Sequence, residues 1–146
     1  MKSLIQVVEE ARVEVDSRIT GSVGRGMLIF LGIGEGDSKN QVDEMADKVL
    51  GLRIFPDEEG KMNLSVRDVA GEILVISQFT LYGRIDSGRR PSFSQAGSYA
   101  ESKKLYRDFV EELKSRHEEK VESGSFGSHM KVNLTNDGPI TLLVES

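Results

Sequence analysis

Two segments concentrate side chains able to do chemistry. Ser77-Gln78-Phe79-Thr80-Leu81 places two hydroxyls and an amide directly behind the apolar run Ile73-Leu74-Val75-Ile76. A buried strand ending in polar residues fixes its functional groups while the loop beyond it admits a substrate. Ser77 and Thr80 are candidate nucleophiles or orienting groups, and the nearby backbone amides are candidates for an oxyanion hole. The second segment is Asn136-Asp137-Gly138-Pro139-Ile140-Thr141. Its glycine can take backbone angles closed to other residues, and a Gly-Pro bond can be cis for only roughly 0.5–1 kcal/mol. Taken singly, both segments also read as plain structure: strand-end hydroxyls bonded to backbone, and a hairpin turn.

A third segment, Gly88-Arg89-Arg90-Pro91-Ser92-Phe93, offers guanidinium groups for phosphate and a ring on which an adenine could stack. It reads equally as a surface loop with Phe93 tucked into the core. Other chemistries are harder to build. A hydroxyl nucleophile needs a base. The only histidines, His117 and His129, lie near neither segment in sequence, so a Ser-His-Asp triad has no support. Without cysteine there is no thiolate nucleophile, disulfide or thiolate metal site. The two distant histidines and scattered carboxylates suggest no metal. Gly32-Ile33-Gly34-Glu35-Gly36 lacks the spacing of a dinucleotide fingerprint, so no cofactor is expected. The net charge is −5 and the sequence pI about 5.1. Proteins that grip a long duplex are usually basic, so a nucleic-acid partner must be held locally. No stretch has the length of a signal peptide or membrane span, which points to a soluble, cytoplasmic protein.

The elements that must position these residues follow from the hydrophobic pattern. The 146 residues suit one domain, 1–146, large enough to bury roughly 68–70% of its unfolded surface. Leu4–Val8 and Val13–Val15 read as strands, Asp16-Ser17 as a turn and Ile19–Val23 as the return. Met27–Ile33 is continuously apolar and predicts a strand buried on both faces. Ser38 and Gln41 have capping-box spacing; Val42, Met45, Ala46, Val49 and Leu50 recur at helical spacing as far as Gly51. Arg53–Pro56 and Met62–Val66 read as short extended pieces, and Tyr82–Gly97 as a long loop. A second helix starts near Ser98, buries Leu105, Tyr106, Phe109, Val110 and Leu113, and fades near Arg116-His117. Met130–Leu134 and Ile140–Val144 are strand-like on either side of the Asn136–Pro139 break. The order predicts a mixed α/β domain, two- to three-layered, with two main helices against a large, partly barrel-like β-sheet.

Joined, the two segments resemble the paired signatures of the D-aminoacyl-tRNA deacylases. Leu52-Arg53-Ile54-Phe55, Gly60-Lys61-Met62-Asn63-Leu64, Arg90-Pro91-Ser92-Phe93 and Phe126-Gly127 match in the same order, so the resemblance covers essentially the whole chain. It implies that family's fold, a homodimer with two active sites at the subunit interface, and no cofactor. It implies an ester hydrolase whose substrate is the acceptor end of tRNA carrying a D-amino acid or glycine. Gly138 and Pro139, cis in the family, would reach into the partner's site with their carbonyls and exclude an L side chain, with Asn136 and Thr141 beside them. Ser77, Gln78, Phe79 and Thr80 would line the other side, and Arg89, Arg90 and Phe93 would meet the tRNA. Thr80 as nucleophile competes with a route assisted by the ribose 2′-hydroxyl, which needs no base from the protein. A nucleic-acid-binding module without deacylase activity is the alternative. One departure stands at Val7, where the family usually carries a basic residue that helps hold the Gly-Pro segment; Arg12 is a candidate substitute.

Overall fold

A computed structural model describes residues 1–86 and 88–146. It opens on one long strand, β1 (Lys2–Val15), where the hydrophobic pattern suggested two. The charged step Glu9-Glu10 that separates the apolar stretches is not a turn. It coincides with register shifts against the last strand, on either side of Val8↔Asn136. Asp16 and Ser17, with φ of 47° and 64°, make the tight reversal into β2 (Arg18–Val23). Left-handed angles at both central residues match the twist of the flanking strands. β3 (Gly26–Gly32) pairs antiparallel with the first half of β1, and β2 with its second half.

α1 (Lys39–Gly51) begins at the expected capping box, Ser38 with Gln41, and buries the expected stripe. A small hairpin, β4 (Phe55–Pro56) and β5 (Met62–Leu64), leads to β6 (Glu72–Ser77), which runs parallel to β3. α2 (Tyr99–Arg116) buries the five residues predicted for it. It is followed by β7 (Val121–Ser123), a three-residue strand too short to leave a period in the sequence, parallel to β6. β8 (Lys131–Glu145) pairs antiparallel along β1 from Glu14 to Lys2. The Asn136–Pro139 segment therefore interrupts a continuous strand and is not a hairpin turn.

β2, β1, β3, β6 and β7 form the main path of the sheet, with β8 on the other edge of β1. The sheet curls until β2 nears β7. A Cβ on Gly21 of β2 would stand 3.1 Å from the Ser123 carbonyl and 3.2 Å from the Leu74 side chain, so glycine there permits the near-closure. Alternate residues serve two apolar cores. Met27, Ile29 and Leu31 of β3, with Ile73 and Val75 of β6, face the helices. Leu28, Leu74 and Ile76 face the inside of the curl with Val8 and Val13. This two-sided burial is why β3 and β6 are continuous apolar runs. It also makes the end of β6 a rigid mount for Ser77.

Candidate active site

Ser77 ends β6 opposite Leu31 of β3, and the Gln78 amide extends the pairing with a hydrogen bond of 2.8 Å to the Leu31 carbonyl. The chain then tightens into a 3₁₀ turn, Phe79–Tyr82. The amides of Leu81 and Gly83 donate to the carbonyls of Gln78 and Thr80. The amides of Phe79 and Thr80, at the start of the turn, have no backbone acceptor among the described residues. Such leading donors are free to meet an anionic oxygen. The Gln78 side-chain amide donates to the Thr80 hydroxyl. Thr80 and Phe79 are both exposed.

Ser77, Gln78 and Phe79 line a cleft of about 480 Å³, within the usual range for small-molecule sites. Its floor is apolar, from Leu31, Ile33, Ile76 and Val132; Thr80 stands just outside. Gly97, Tyr99 and Ser102 at the start of α2 form one wall, and Phe126–Met130 the opposite one. Phe126 meets Tyr99 edge-on at 5.4 Å, which ties the two walls. Tyr106 braces them from below: its hydroxyl donates to the Val75 carbonyl at 2.8 Å, and burial pushes that phenol up. The glycine-rich run also has a role here. A Cβ on Gly34 would lie 2.6 Å from the Tyr82 hydroxyl, so the run makes room for the end of the 3₁₀ turn.

The second segment is held by side chains of the sheet. The Gly138–Pro139 peptide is cis, and Gly138 has φ 111°. The Asn136 amide nitrogen donates to the Val7 carbonyl at 2.8 Å and to the Ile140 carbonyl at 3.0 Å. Its oxygen accepts from the Thr141 hydroxyl at 3.1 Å and from Gln6 at 3.3 Å. Gln6 also donates to Thr141 at 3.2 Å. One side chain thus clasps both ends of the excursion. Arg12 takes no part; it pairs with Glu14 at 3.2 Å.

The two segments do not meet within the chain. Among the described residues, Val132 is the contribution of β8 to the cleft, and none of Asn136–Thr141 lines it. Asp137, Gly138 and Pro139 are exposed. Arg89 and Arg90 are exposed on a loop pinched by reciprocal backbone bonds between Arg84 and Ser92. Phe93 is half-buried and stacks edge-on against Phe79, ring centres 4.9 Å apart, so it belongs to the rim of the cleft. His117 is buried beyond α2 and engages the Gly71 carbonyl. His129, distant from Ser77 in sequence, lines the same cleft. Pattern reading missed that wall because Phe126–Met130 has no periodicity; its one local signal is Gly127, at φ 78°, where a Cβ would stand 2.7 Å from the Tyr99 hydroxyl.

Residues 4–145 match the sequence profile of the D-Tyr-tRNA(Tyr) deacylase family. A D-aminoacyl-tRNA deacylase of Thermotoga petrophila is 51% identical over 146 residues, covering 100% of this chain and 97% of the relative. One from Thermosipho melanesiensis is 49% identical with the same coverage. A solved structure titled c-Myc DNA Unwinding Element Binding Protein superposes with TM-score 0.94 at 37% identity, covering 100% of this chain and 99% of that one. A probable eukaryotic D-amino acid tRNA deacylase shares the fold at TM-score 0.84 and 18% identity, covering 98% and 97%.

Proposed function

The chain belongs to the D-Tyr-tRNA(Tyr) deacylase family, and from that premise we propose that it hydrolyses the ester joining a D-amino acid, or glycine, to the terminal adenosine of tRNA. The observation that carries this reading is the placement of Ser77, Gln78 and Phe79 in a cleft whose leading turn amides are free. Water attacks the ester carbonyl carbon, and the amides of Phe79 and Thr80 receive the developing oxyanion. The ester bond to the ribose then breaks and the leaving oxygen takes up a proton, releasing free amino acid and tRNA. The Thr80 hydroxyl accepts from Gln78, and among the described residues no histidine or carboxylate is one of its hydrogen-bond partners. The neighbouring ribose 2′-hydroxyl therefore positions the water, and Thr80 is not the nucleophile.

Residues 1–146 act as one deacylase domain, working in the cytoplasm as a homodimer without a cofactor. The absence of Gly138 and Pro139 from the residues lining the cleft supports the dimer, because the two segments then need a second copy to meet. The exposed Leu143, next to the excursion, is an apolar residue such an interface would cover. No helix among the described residues is long and apolar enough to cross a membrane. In the dimer, the Gly138 and Pro139 carbonyls face the substrate's amino group and leave no room for an L side chain. Main-chain groups reject a shape whatever the side chain attached to it, which suits a proofreader of many amino acids. Glycine has no side chain to reject, so glycyl-tRNA, including glycine mischarged on tRNA-Ala, is a substrate.

A nucleic-acid-binding module without deacylase activity is the second reading, favoured by the name of the 37% identical structure, a DNA unwinding element binding protein. The net charge of −5 weighs against a duplex binder. Deacylation of D-tyrosyl-, L-tyrosyl- and glycyl-tRNA, run beside a salt-titrated DNA-binding assay, separates the two. Cleavage of the D-tyrosyl and glycyl esters with the L ester spared is expected; equal cleavage of D and L would remove the proofreading function.

A further inference from the structure

An acidic protein that holds RNA must leave cations free where the RNA runs. The second half of α2 is neutralised. Arg116 pairs with Glu112 and Asp47, Lys39 of α1 reaches Glu112 at 2.9 Å, and Lys114 holds Glu111 at 3.3 Å. The first half differs. Lys103, Lys104 and Arg107 are exposed and form no ion pair among the described residues, and they rim a shallow depression of about 360 Å³. Of the carboxylates nearby, Glu101 is turned back onto the Ser98 hydroxyl at 2.7 Å and Glu111 is taken by Lys114. Among the described residues lining the depression, Asp108 is left as the one carboxylate without an ion-pair partner. Lys103 and Arg107, four residues apart, form one stripe with about 5–6 Å between Cβ atoms. The same helix turns supply Tyr99 and Ser102 to the cleft wall. The positive end of the helix dipole lies there too.

We propose that Lys103, Lys104 and Arg107 form the phosphate track along which the acceptor stem of the RNA lies as its 3′ end enters the cleft. This rests on the deacylase reading for the identity of the RNA, and it adds a surface on α2 to the Arg89–Arg90 loop. The acidic overall charge then limits binding to the few phosphates next to the reacting ester.

The test is the full-length Lys103→Gln/Lys104→Gln/Arg107→Gln variant, with two probes. An uncharged acceptor-stem minihelix, followed by fluorescence anisotropy across a salt series, should bind more weakly. Its log–log salt slope should be shallower by about 2 to 3, the value for three lost phosphate contacts. D-Tyrosyl-adenosine, which has no phosphate, should be cleaved at the parent's rate, while D-tyrosyl-tRNA shows a raised KM at unchanged kcat. An unchanged minihelix affinity and slope would overturn the proposal, as would equal loss on both esters, which would mean a damaged cleft. If the parent protein cleaves neither ester, the deacylase reading fails, and the anisotropy series still decides the role of α2.

Discussion

Replacing Asn136 with alanine and with aspartate tests how the Gly138–Pro139 excursion is held. Alanine removes every bond of the clasp. Those to Thr141 and Gln6 are exposed or half-exposed, and water can replace them. The two donated to the Val7 and Ile140 carbonyls are part-buried, at 2.8 and 3.0 Å. At about 1 kcal/mol net for each, the loss is about 2 kcal/mol. In a domain of this size that lowers Tm by about 4–8 °C. Aspartate keeps the shape but sets a carboxylate oxygen against two carbonyl oxygens, so at pH 7 it should be less stable than alanine. The sign with pH is fixed. Repulsion by the carbonyls raises the folded-state pKa of this carboxyl above its unfolded value near ~4. Stability relative to the alanine variant is therefore regained below that value and lost as pH rises through the raised one. Thermal melts at pH 7 and at pH 4 measure both effects, and D-tyrosyl-tRNA deacylation at a temperature where all variants are folded measures the function. Activity should fall in both variants by more than their unfolded fraction explains. An alanine variant melting with the parent, or an aspartate variant more stable than alanine at pH 7, would refute the clasp.

Three other outcomes follow from the geometry. Gly138→Ala forces a side chain onto φ 111°, with its Cβ 2.7 Å from Ile140 Cγ1 and 2.9 Å from the Ile140 amide nitrogen; urea unfolding should show a loss of at least about 1–2 kcal/mol, together with loss of deacylation. Thr80→Val keeps the turn amides and removes only the hydroxyl, so single-turnover deacylation should remain substantial; a fall to the uncatalysed rate in a folded variant would restore Thr80 as nucleophile. The Tyr82 phenol is pushed up to about 12 by burial, then by Asp37 and Glu145, and burial raises Tyr106 as well. Their contribution to stability is complete below pH ~10 and is lost as pH rises through the raised values, so melts between pH 9 and 12 should fall, and less steeply in Tyr82→Phe.

The elements legible in the sequence were those whose burial is periodic. Val42, Met45, Ala46, Val49 and Leu50 announce α1, and the unbroken run Met27–Ile33 announces a strand with apolar neighbours on both faces, as β3 has. β1 was harder, because Glu9-Glu10 imitates a turn until the register shift opposite it is known. The break at Asn136–Pro139 misled for the same reason: the pairing that carries β8 across it belongs to β1, some 130 residues away in sequence. The cleft was half legible. Ser77–Phe79 follow an evident strand, but another wall comes from Phe126–Met130, seated against Tyr99 by Gly127, while Gly34 makes room for Tyr82 at the end of the turn; neither glycine means anything until those rings stand against it. Only the joint occurrence of two distant signatures pointed to one site, and each alone is better explained as structure.

Val7 shows how such a site can survive the loss of a side chain expected to support it. Its own side chain is 2% exposed, buried in the apolar core beneath the helices and unable to hydrogen-bond the excursion. Its main chain can. The Val7 carbonyl accepts the Asn136 amide, Gln6 beside it binds both Asn136 and Thr141, and the register shifts at Val8 set these groups opposite the segment. A carbonyl is present whatever residue occupies position 7. Support by neutral amides, moreover, carries no charge to screen, so the hold on the Gly138–Pro139 segment should be insensitive to salt, whereas RNA binding along α2 should weaken steeply with it. A single salt series read by deacylation of D-tyrosyl-adenosine and by minihelix binding sets the two apart: the ester cleavage should stay level while the binding falls. Parallel loss of both would place a charged group in the support of the excursion and remove the clasp as its sole anchor.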